Sequence, residues 1–337
     1  MSQHVAGATQ SSTSLRVMQR AWPPRAATIA IFAMASSACA GTSMQAPSSS
    51  GFAPMPVSKL TEMRSTEGRR SVRCVPLPTK NSRLYVANFG GQDPEVLQFS
   101  PPYKAPPNQL ASESYPRGLA FDDLNNLFVS SSVNFGVLEY APPYTGKPQK
   151  IIRPPDSNKP YGLAVDDMRN LFVADNNSSV VFVMPPPYMV PSTEIGFVNQ
   201  PTGLVLDAGC DLFVANAATN AVLEFAPPYT GAPVTTITRS IENPTAVSLD
   251  ASGDLFVASF TNNRVLEFTP PYTSAPIATI SKGVKGPNGV AIDASGDLFV
   301  ADSSSNAITE YVPPFKGAPV LRITASVAAP GNLVFGP

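Results

Sequence analysis

The chain has 337 residues, of which 43% are hydrophobic and 14% are charged, and its formal net charge is −1. A near-neutral chain lacks the excess of Lys and Arg that neutralises phosphates, so the composition argues against a nucleic-acid partner. The 37 prolines and 22 glycines predict many turns and few long helices.

Residues 1–40 have the layout of an export signal. Arg20 and Arg25 precede the apolar run "AATIAIFAMASSA" at 26–38, and small residues follow it. The run is too short to span a bilayer comfortably. Met18 would give a signal of more ordinary length, so the true start of the chain is either Met1 or Met18.

Two processing routes are open after this signal. The stretch "SSAC" at 36–39 resembles a lipoprotein box that would attach lipid to Cys39, although Ser36 stands where an aliphatic residue is usual. Cleavage after Ala40 would instead release an ordinary secreted protein. We therefore expect an exported protein, either lipid-anchored in the cell envelope or secreted, with membrane contact only through the lipid.

Residues 41–80 are rich in Ser, Pro and Thr without periodicity, which predicts a flexible tether ahead of a folded domain at 81–337. If Cys39 is lipidated or removed, Cys74 and Cys210 remain. Export makes a disulfide between them chemically possible, and two unpaired thiols are the alternative. Their spacing matches no metal-binding motif.

A unit of low-forties length repeats through the folded domain. Its first part reads "PRGLAFDDLNNLFVSS" at 116–131 and "PNGVAIDASGDLFVAD" at 287–302. The steps are 41, 44, 41, 43 and 43 residues between the aromatic residues of a recurring Pro-Pro-aromatic element, namely Tyr103, Tyr144, Tyr188, Tyr229, Tyr272 and Phe315. Short apolar runs and turns at this period are typical of a four-stranded propeller blade.

The two ends of the repeat complement each other. The first copy begins at "RLYVAN", 83–88, with strand B and lacks strand A, whereas "PGNLVF", 330–335, is a strand A with nothing after it. The sequence therefore predicts an all-β, six-bladed propeller of four-stranded antiparallel blades. Pairing of the N-terminal strands B–D with the C-terminal strand A would close the ring.

The copies resemble the NHL repeat, whose units run Pro-x-Gly-(Val/Leu)-Ala-Val-Asp, a Gly-polar hairpin and Leu-Tyr-Val-Ala-Asp. Here Phe replaces the usual Tyr in "LFVA", and the Pro-Pro-aromatic loop after strand C is not a general family feature. The resemblance implies a six-bladed propeller. It does not choose between members that bind partners, such as sensor domains of bacterial receptor kinases, and members that are enzymes.

The only histidine is His4, in or ahead of the export signal. The mature domain therefore cannot hold a Ser-His-Asp triad or a His-ligated zinc. Propeller lyases and lactonases that use histidine are disfavoured for this reason.

A histidine-free metal site is the main catalytic alternative. The chain resembles gluconolactonase-type propellers more distantly, and these hold a divalent cation at the axis with Asn, Asp and Glu, some from the x position of Pro-x-Gly. That position here reads Arg117, Tyr161, Thr202, Thr245, Asn288 and Gly331. Only Asn288 is a suitable ligand, and hard cations usually need carboxylates as well. We expect no cofactor and no metal, with a cation at Asn288 in the axial channel as the alternative.

The D–A and B–C loops should share one face, because strands A and B run antiparallel. Variation between blades favours this channel mouth as the ligand or partner face. The candidate residues are Asn88, Arg117, Tyr161, Asp175, Thr202, Asn216, Thr245, Asn288 and Asp302. The Asp of each A–B turn and the Glu of strand C recur between blades, so we assign them to hairpin capping and solvated faces.

These observations predict a monomeric, non-catalytic binding or protein-interaction domain, with an unknown protein or small ligand at the channel mouth. One alternative is a metal-dependent, lactonase-like hydrolase that uses the axial channel. The other is a structural protein of the cell surface.

Overall fold

The computed structural model describes residues 74–75, 78–91, 94–110 and 115–337. The predicted export signal, Cys39 and residues 41–73 of the predicted tether lie outside the described residues. Within the described part the chain forms six four-stranded antiparallel sheets. No helix in this part is long and apolar enough to cross a membrane.

Twenty-four strands build the six sheets. In chain order they are β1 (Arg83–Asn88), β2 (Glu95–Phe99), β3 (Asn108–Leu110), β4 (Pro116–Phe121), β5 (Leu127–Ser131), β6 (Gly136–Tyr140), β7 (Lys150–Ile152), β8 (Pro160–Val165), β9 (Leu171–Asp175), β10 (Val180–Met184), β11 (Thr193–Ile195), β12 (Pro201–Leu206), β13 (Leu212–Asn216), β14 (Ala221–Phe225), β15 (Thr235–Ile237), β16 (Pro244–Leu249), β17 (Leu255–Ser259), β18 (Arg264–Phe268), β19 (Ala278–Ile280), β20 (Pro287–Ile292), β21 (Leu298–Asp302), β22 (Ala307–Tyr311), β23 (Leu321–Ile323) and β24 (Pro330–Gly336). Two short 3-10 turns lie at Ala217–Thr219 and Ser303–Ser305.

The ring closes as the sequence predicts. Blade 1 has the strand order β24-β1-β2-β3, and blades 2 to 6 are β4–β7, β8–β11, β12–β15, β16–β19 and β20–β23. Leu84 of β1 is opposite Phe335 of β24, so the last strand of the chain completes the first blade. The predicted six-bladed, all-β fold and its closure are confirmed.

Burial is greatest in the second strand of each blade and least in the outer strand, and the sequence pattern explains it. All five residues of each second strand from β5 to β21 are buried, because blades pack on both of its faces, and these strands read as continuous apolar runs. Each outer strand of blades 2 to 6 buries only its last residue, an isoleucine. The outer strands therefore alternate, as expected for a rim in contact with water.

The A–B turns have the predicted capping chemistry. Asp250 Oδ1 accepts hydrogen bonds from the backbone N–H groups of Ser252 and Asp254, both at 2.8 Å. The other four complete turns repeat this pattern with their own aspartates. Gly253 and Gly296 have φ of 88° and 84°, a conformation that glycine adopts without strain. Hairpin capping by these aspartates is confirmed.

The Pro-Pro-aromatic loops join neighbouring blades. Each aromatic ring packs edge-on against the second-strand aromatic of the preceding blade, for example Tyr272 on Phe213 at 5.2 Å between ring centres. The Tyr272 hydroxyl donates to the carbonyl oxygen of Gly253, in the A–B turn of its own blade, at 2.8 Å. Each ring therefore joins its own blade to the preceding one.

This packing explains why "LFVA" carries phenylalanine. The ring is fully buried at Phe128, Phe172 and its counterparts, where a hydroxyl would need a partner. The one tyrosine at this position, Tyr85, has such partners: it donates to the Pro337 carbonyl at 2.8 Å and accepts from Gln98 at 2.7 Å.

Cys74 and Cys210 form a disulfide, with 5.2 Å between their Cα atoms. The structure thus selects the disulfide from the two alternatives. Cys74 is buried against blade 4, ahead of the domain boundary expected at residue 81.

Candidate functional site

Several predicted face residues anchor the loops around them. Asp175 accepts hydrogen bonds from Ser157 Oγ at 2.6 Å and from the backbone N–H groups of Asn158 and Lys159 at 3.0 and 3.1 Å. Asn88, Asn216 and Asp302 likewise accept from the backbone of the D–A loop beside them. The ends of the second strands therefore hold the D–A loops in place.

The two anchoring carboxyl groups differ in acidity. Burial opposes ionisation of Asp175, but the hydrogen bonds from Ser157, Ser178 and Lys159 outweigh it, so its pKa is lowered. Asp302 is equally buried but has fewer donors, and burial raises its pKa to about 6. Both carboxylates therefore accept hydrogen bonds from within the propeller.

The threonines of the x position also make structural contacts. Thr202 Oγ1 donates to the Pro244 carbonyl and Thr245 Oγ1 to the Pro287 carbonyl, both at 2.8 Å, so each ties its blade to the next. Asn288 is half-buried on β20. Among described residues, the one close group of His, Cys, Asp and Glu ligand atoms is Cys74, Asp167 and Cys210, and its two sulfurs form the disulfide.

Arg117 lies at the centre of an aromatic cluster on the same face. Its guanidinium carbon is 4.2 Å from the ring centre of Phe89 and 5.3 Å from that of Tyr161, and its Nε donates to Ser132 Oγ at 3.3 Å. Lys159 Nζ lies 5.4 Å from the Tyr161 ring. We call Phe89, Arg117, Lys159 and Tyr161 the Arg117 cluster. Arg117 lies on β4 of blade 2, between Phe89 of blade 1 and Tyr161 of blade 3. Lys159 belongs to the loop that joins blades 2 and 3.

Large apolar side chains are exposed next to the Arg117 cluster. Tyr115, Val133 and Phe135 are 47%, 48% and 54% exposed. Ser132, which contacts Arg117, donates its backbone N–H to the Tyr115 carbonyl and so links the two groups. We missed Tyr115 and Phe135 from sequence. The available indication was the B–C loop "SVNF" at 132–135, where blades 3, 4 and 6 have "NNSS", "AATN" and "SSSN".

The two faces differ in charge. Between residues 115 and 337, the D–A and B–C loops contain five cations and two acids, namely Arg153, Lys159, Arg239, Lys282, Lys285, Asp156 and Glu242. Lys282 reaches the C–D loop of blade 6, where its Nζ donates to the Lys316 carbonyl, so four cations and two acids remain for this face. The five complete A–B turns on the opposite face contain ten aspartates and one arginine. The face with the Arg117 cluster is therefore basic, and the opposite face is acidic.

An axial cavity of about 660 Å³ opens on the acidic face. Its wall consists mainly of apolar residues from the last part of the six inner strands, including Leu119, Leu163, Leu204, Val247, Val290 and Leu333. None of the nine residues predicted for the ligand face lines it. Sequence reasoning expected an axial channel with its mouth at the D–A and B–C loops, but not an apolar cavity that opens at the A–B turns.

Two of the four strand-C glutamates depart from the prediction of solvated faces. Glu139 and Glu267 are each only 9% exposed. The neighbouring blade and the A–B turn cover this strand, which the repeat pattern alone does not show. Burial, with the nearby Asp254 and Asp250, raises the pKa of Glu267 to about 7.

A family model of the NHL repeat matches residues 285–311, which span β20, β21 and β22 of blade 6. The chain contains an NHL repeat. This finding confirms the resemblance at the sixth copy, where the Gly-containing hairpin and the "LFVAD" strand of the repeat are both present. No curated protein matches the chain by sequence.

Solved propeller structures are similar to this chain in fold. A nidogen/laminin complex aligns with a TM-score of 0.63 at 14% identity, over 76% of this chain and 98% of that one. A protein of unknown function from Bacteroides caccae aligns with a TM-score of 0.60 at 13% identity, over 76% of this chain and 99% of that one. A catalytically inactive virginiamycin B lyase from Staphylococcus aureus, solved with quinupristin, aligns with a TM-score of 0.52 at 13% identity, over 76% of this chain and 82% of that one. At these identities the similarity shows the fold alone.

Proposed function

We propose that this chain is an exported binding domain that recognises an acidic segment of a partner protein at the Arg117 cluster. The observation that carries the proposal is the position of Arg117 between Phe89 and Tyr161, beside the exposed Tyr115 and Phe135. Arg, Tyr and Phe are enriched in protein interfaces, and Arg and Tyr in the residues that dominate binding energy. The rings hold the guanidinium in place, so less side-chain freedom is lost on binding.

The charge of this face supports an acidic partner. Lys159 belongs to the cluster and Arg153 to the same loop, while the acids of these loops are fewer. Complementary charge raises association rates and excludes other basic proteins. Binding should therefore weaken as salt concentration rises.

The disulfide supports export. Disulfides persist in oxidising compartments outside the cytosol, and Cys74–Cys210 joins the segment after the predicted signal to the propeller. The proposal includes either lipid attachment at Cys39 or secretion. Growth with labelled palmitate separates the two, because only the lipoprotein takes up label.

The structural neighbours are compatible with binding. The nidogen propeller is solved in a complex with laminin, and the inactive lyase variant, in which a histidine is replaced by alanine, is solved with quinupristin. Here His4 is the only histidine and lies ahead of the propeller. This favours binding over chemistry that depends on histidine.

The test begins with capture of partners from a cell-envelope extract and continues with the purified partner. We expect Arg117→Ala and Tyr161→Ala each to raise its Kd about tenfold or more, as for residues that dominate an interface. Arg239→Ala removes an exposed cation of the same face outside the cluster and should change Kd less than about twofold. Equal affinity of wild type and Arg117→Ala would reject the cluster as the binding site.

A further inference from the structure

The axial cavity is narrow at one end because the inner strands approach closely there. A Cβ atom on Gly118 would overlap the Tyr161 carbonyl, and one on Gly162 would overlap that of Thr202. These glycines lie near the D–A loops, just before the cavity wall begins at residues 119 and 163. The cavity therefore widens towards the A–B turns, on the face opposite the Arg117 cluster.

The wall of the cavity is apolar. Ser248 and Asn332 are the polar residues that the inner strands contribute to it. Asn332 Oδ1 is already engaged, since it accepts from the Leu119 backbone N–H at 3.1 Å. A volume of about 660 Å³ lies within the range of small-molecule sites.

The mouth of the cavity is acidic between blades 4 and 5. Asp207, Glu224 and Asp250 line it together with the Tyr272 ring. Burial raises the pKa of the Tyr272 phenol, and the charges of Glu224, Asp207, Asp254 and Asp250 raise it further. At Tyr188 of blade 3, by contrast, Arg169 acts in the opposite direction.

Basic loops do not balance this charge. Lys104, Lys147 and Lys316 lie in the C–D loops of blades 1, 2 and 6. The corresponding loops of blades 4 and 5, at 226–234 and 269–277, contain no charged residue. Negative charge is therefore concentrated at one side of the mouth.

The aspartates at this mouth are also less occupied than their counterparts. Asp122 and Asp166 use Oδ1 for the turn and accept from Asn126 and Asn170 with Oδ2. Blades 4 and 5 have Asp211 and Asp254 in place of these asparagines. In the described residues, the side chains of Asp207 and Asp250 accept hydrogen bonds only at Oδ1, and the donors are backbone N–H groups.

We propose that this cavity binds an amphipathic organic cation, with its alkyl or aryl part in the axial cavity and its ammonium group at the mouth between blades 4 and 5. There the cation would face Asp207, Asp250 and Glu224 and the Tyr272 ring. Carboxylates supply the charge attraction, and an aromatic ring at this position suits an ammonium group. The site lies on the other face from the Arg117 cluster and does not depend on the proposed function.

The experiment is isothermal titration calorimetry of the purified, disulfide-bonded protein with octyltrimethylammonium, octanoate and 1-octanol. Each compound is kept below the concentration at which it forms micelles or separates from solution. We expect one site, with the ammonium compound at least about tenfold tighter than octanoate and the alcohol between them. Asp207→Asn combined with Asp250→Asn keeps the Oδ1 acceptors of the turns. This variant should lose about tenfold in affinity for the ammonium compound and little for octanol.

The matched control is Asp122→Asn combined with Asp166→Asn, which changes the same turn position in blades 2 and 3 and should leave the affinity unchanged. Ser248→Phe places a ring in the wall and should abolish binding of all three compounds. Circular dichroism shows whether each variant is folded. If the Asp207→Asn, Asp250→Asn variant does not fold, Ser248→Phe still tests the site. Equal affinity for the ammonium compound and octanoate, or full binding by Ser248→Phe, would overturn the proposal. Arg117→Ala should bind the ammonium compound as wild type does, so failure of the Arg117 cluster as a partner site would not affect this result.

Discussion

Replacing Glu267 with glutamine should stabilise the propeller at alkaline pH. Glu267 lies on β18 opposite Phe256, is 9% exposed, and borders a groove of about 580 Å³ that Lys282 and Lys316 also line. Burial is the main cause that raises its pKa from 4.5 to about 7, and Asp254 and Asp250 add to it. Glutamine has nearly the same shape, and Gln98 holds the equivalent position opposite Tyr85.

The sign follows from the raised pKa. The neutral carboxyl group contributes its full stability below pH 4.5, and that stability is lost as the pH rises through 7. A shift from 4.5 to about 7 corresponds to a loss of about 3 kcal/mol as an upper limit. Screening by water in the adjacent groove reduces this to about 1–2 kcal/mol.

The assay is urea unfolding followed by circular dichroism at pH 4.5 and pH 8. At pH 8 Glu267→Gln should exceed wild type by about 1–2 kcal/mol, which is a rise of about 2–8 °C in Tm for a domain of this size. At pH 4.5 the two should differ by no more than a few tenths of a kcal/mol. Glu194→Gln on β11, where the side chain is exposed, is the control and should track wild type. Equal stabilities of Glu267→Gln and wild type at both pH values would refute the reasoning.

Three further predictions concern the ring itself. Deleting residues 329–337 removes β24 and should lower Tm by more than about 10 °C in a calorimetric scan; an unchanged melt would contradict closure by this strand. Gly162→Ala should lower the free energy of unfolding in urea by about 1–3 kcal/mol, because the new Cβ would overlap the Thr202 carbonyl. Gly231→Ala is the control and should be nearly neutral, since a Cβ there meets nothing within 4 Å. Equal effects of the two substitutions would exclude the close approach as the cause. Replacing both Cys74 and Cys210 with serine should lower the free energy of unfolding by about 2–4 kcal/mol under non-reducing conditions, and a variant as stable as wild type would show that the disulfide contributes nothing.

The repeat made most of the fold predictable. Each of the five uninterrupted copies, blades 2 to 6, contains its own turn aspartate, its own apolar second strand and its own Pro-Pro-aromatic loop, so each gives independent evidence for the same unit. The complementary ends at 83–88 and 330–335 then predicted which strands pair, and β1 and β24 do so.

Features that depend on contacts between distant residues were not predictable in the same way. Cys74 and Cys210 are 136 residues apart, and no pattern in either segment shows that the folded ring brings them together. The Arg117 cluster needs rings from blades 1 and 3, of which sequence reasoning found Tyr161 but not Phe89. The axial cavity is built from residues that look like ordinary strand core in every copy, and only their arrangement around the axis exposes them.

Closure by β24 has a consequence for how the chain reaches its native state. Blade 1 needs a strand from residues 330–336, so it stays incomplete until the chain has been synthesised through these residues. Until then the inner edge of β1 presents unpaired backbone groups, which are a template for pairing with another chain. The contacts between β1 and β24 also span nearly the entire domain, and contacts of such long sequence separation form slowly. A nascent or truncated chain should therefore be most prone to aggregate at this one edge, and a chaperone that covers it would act on the step that completes the ring.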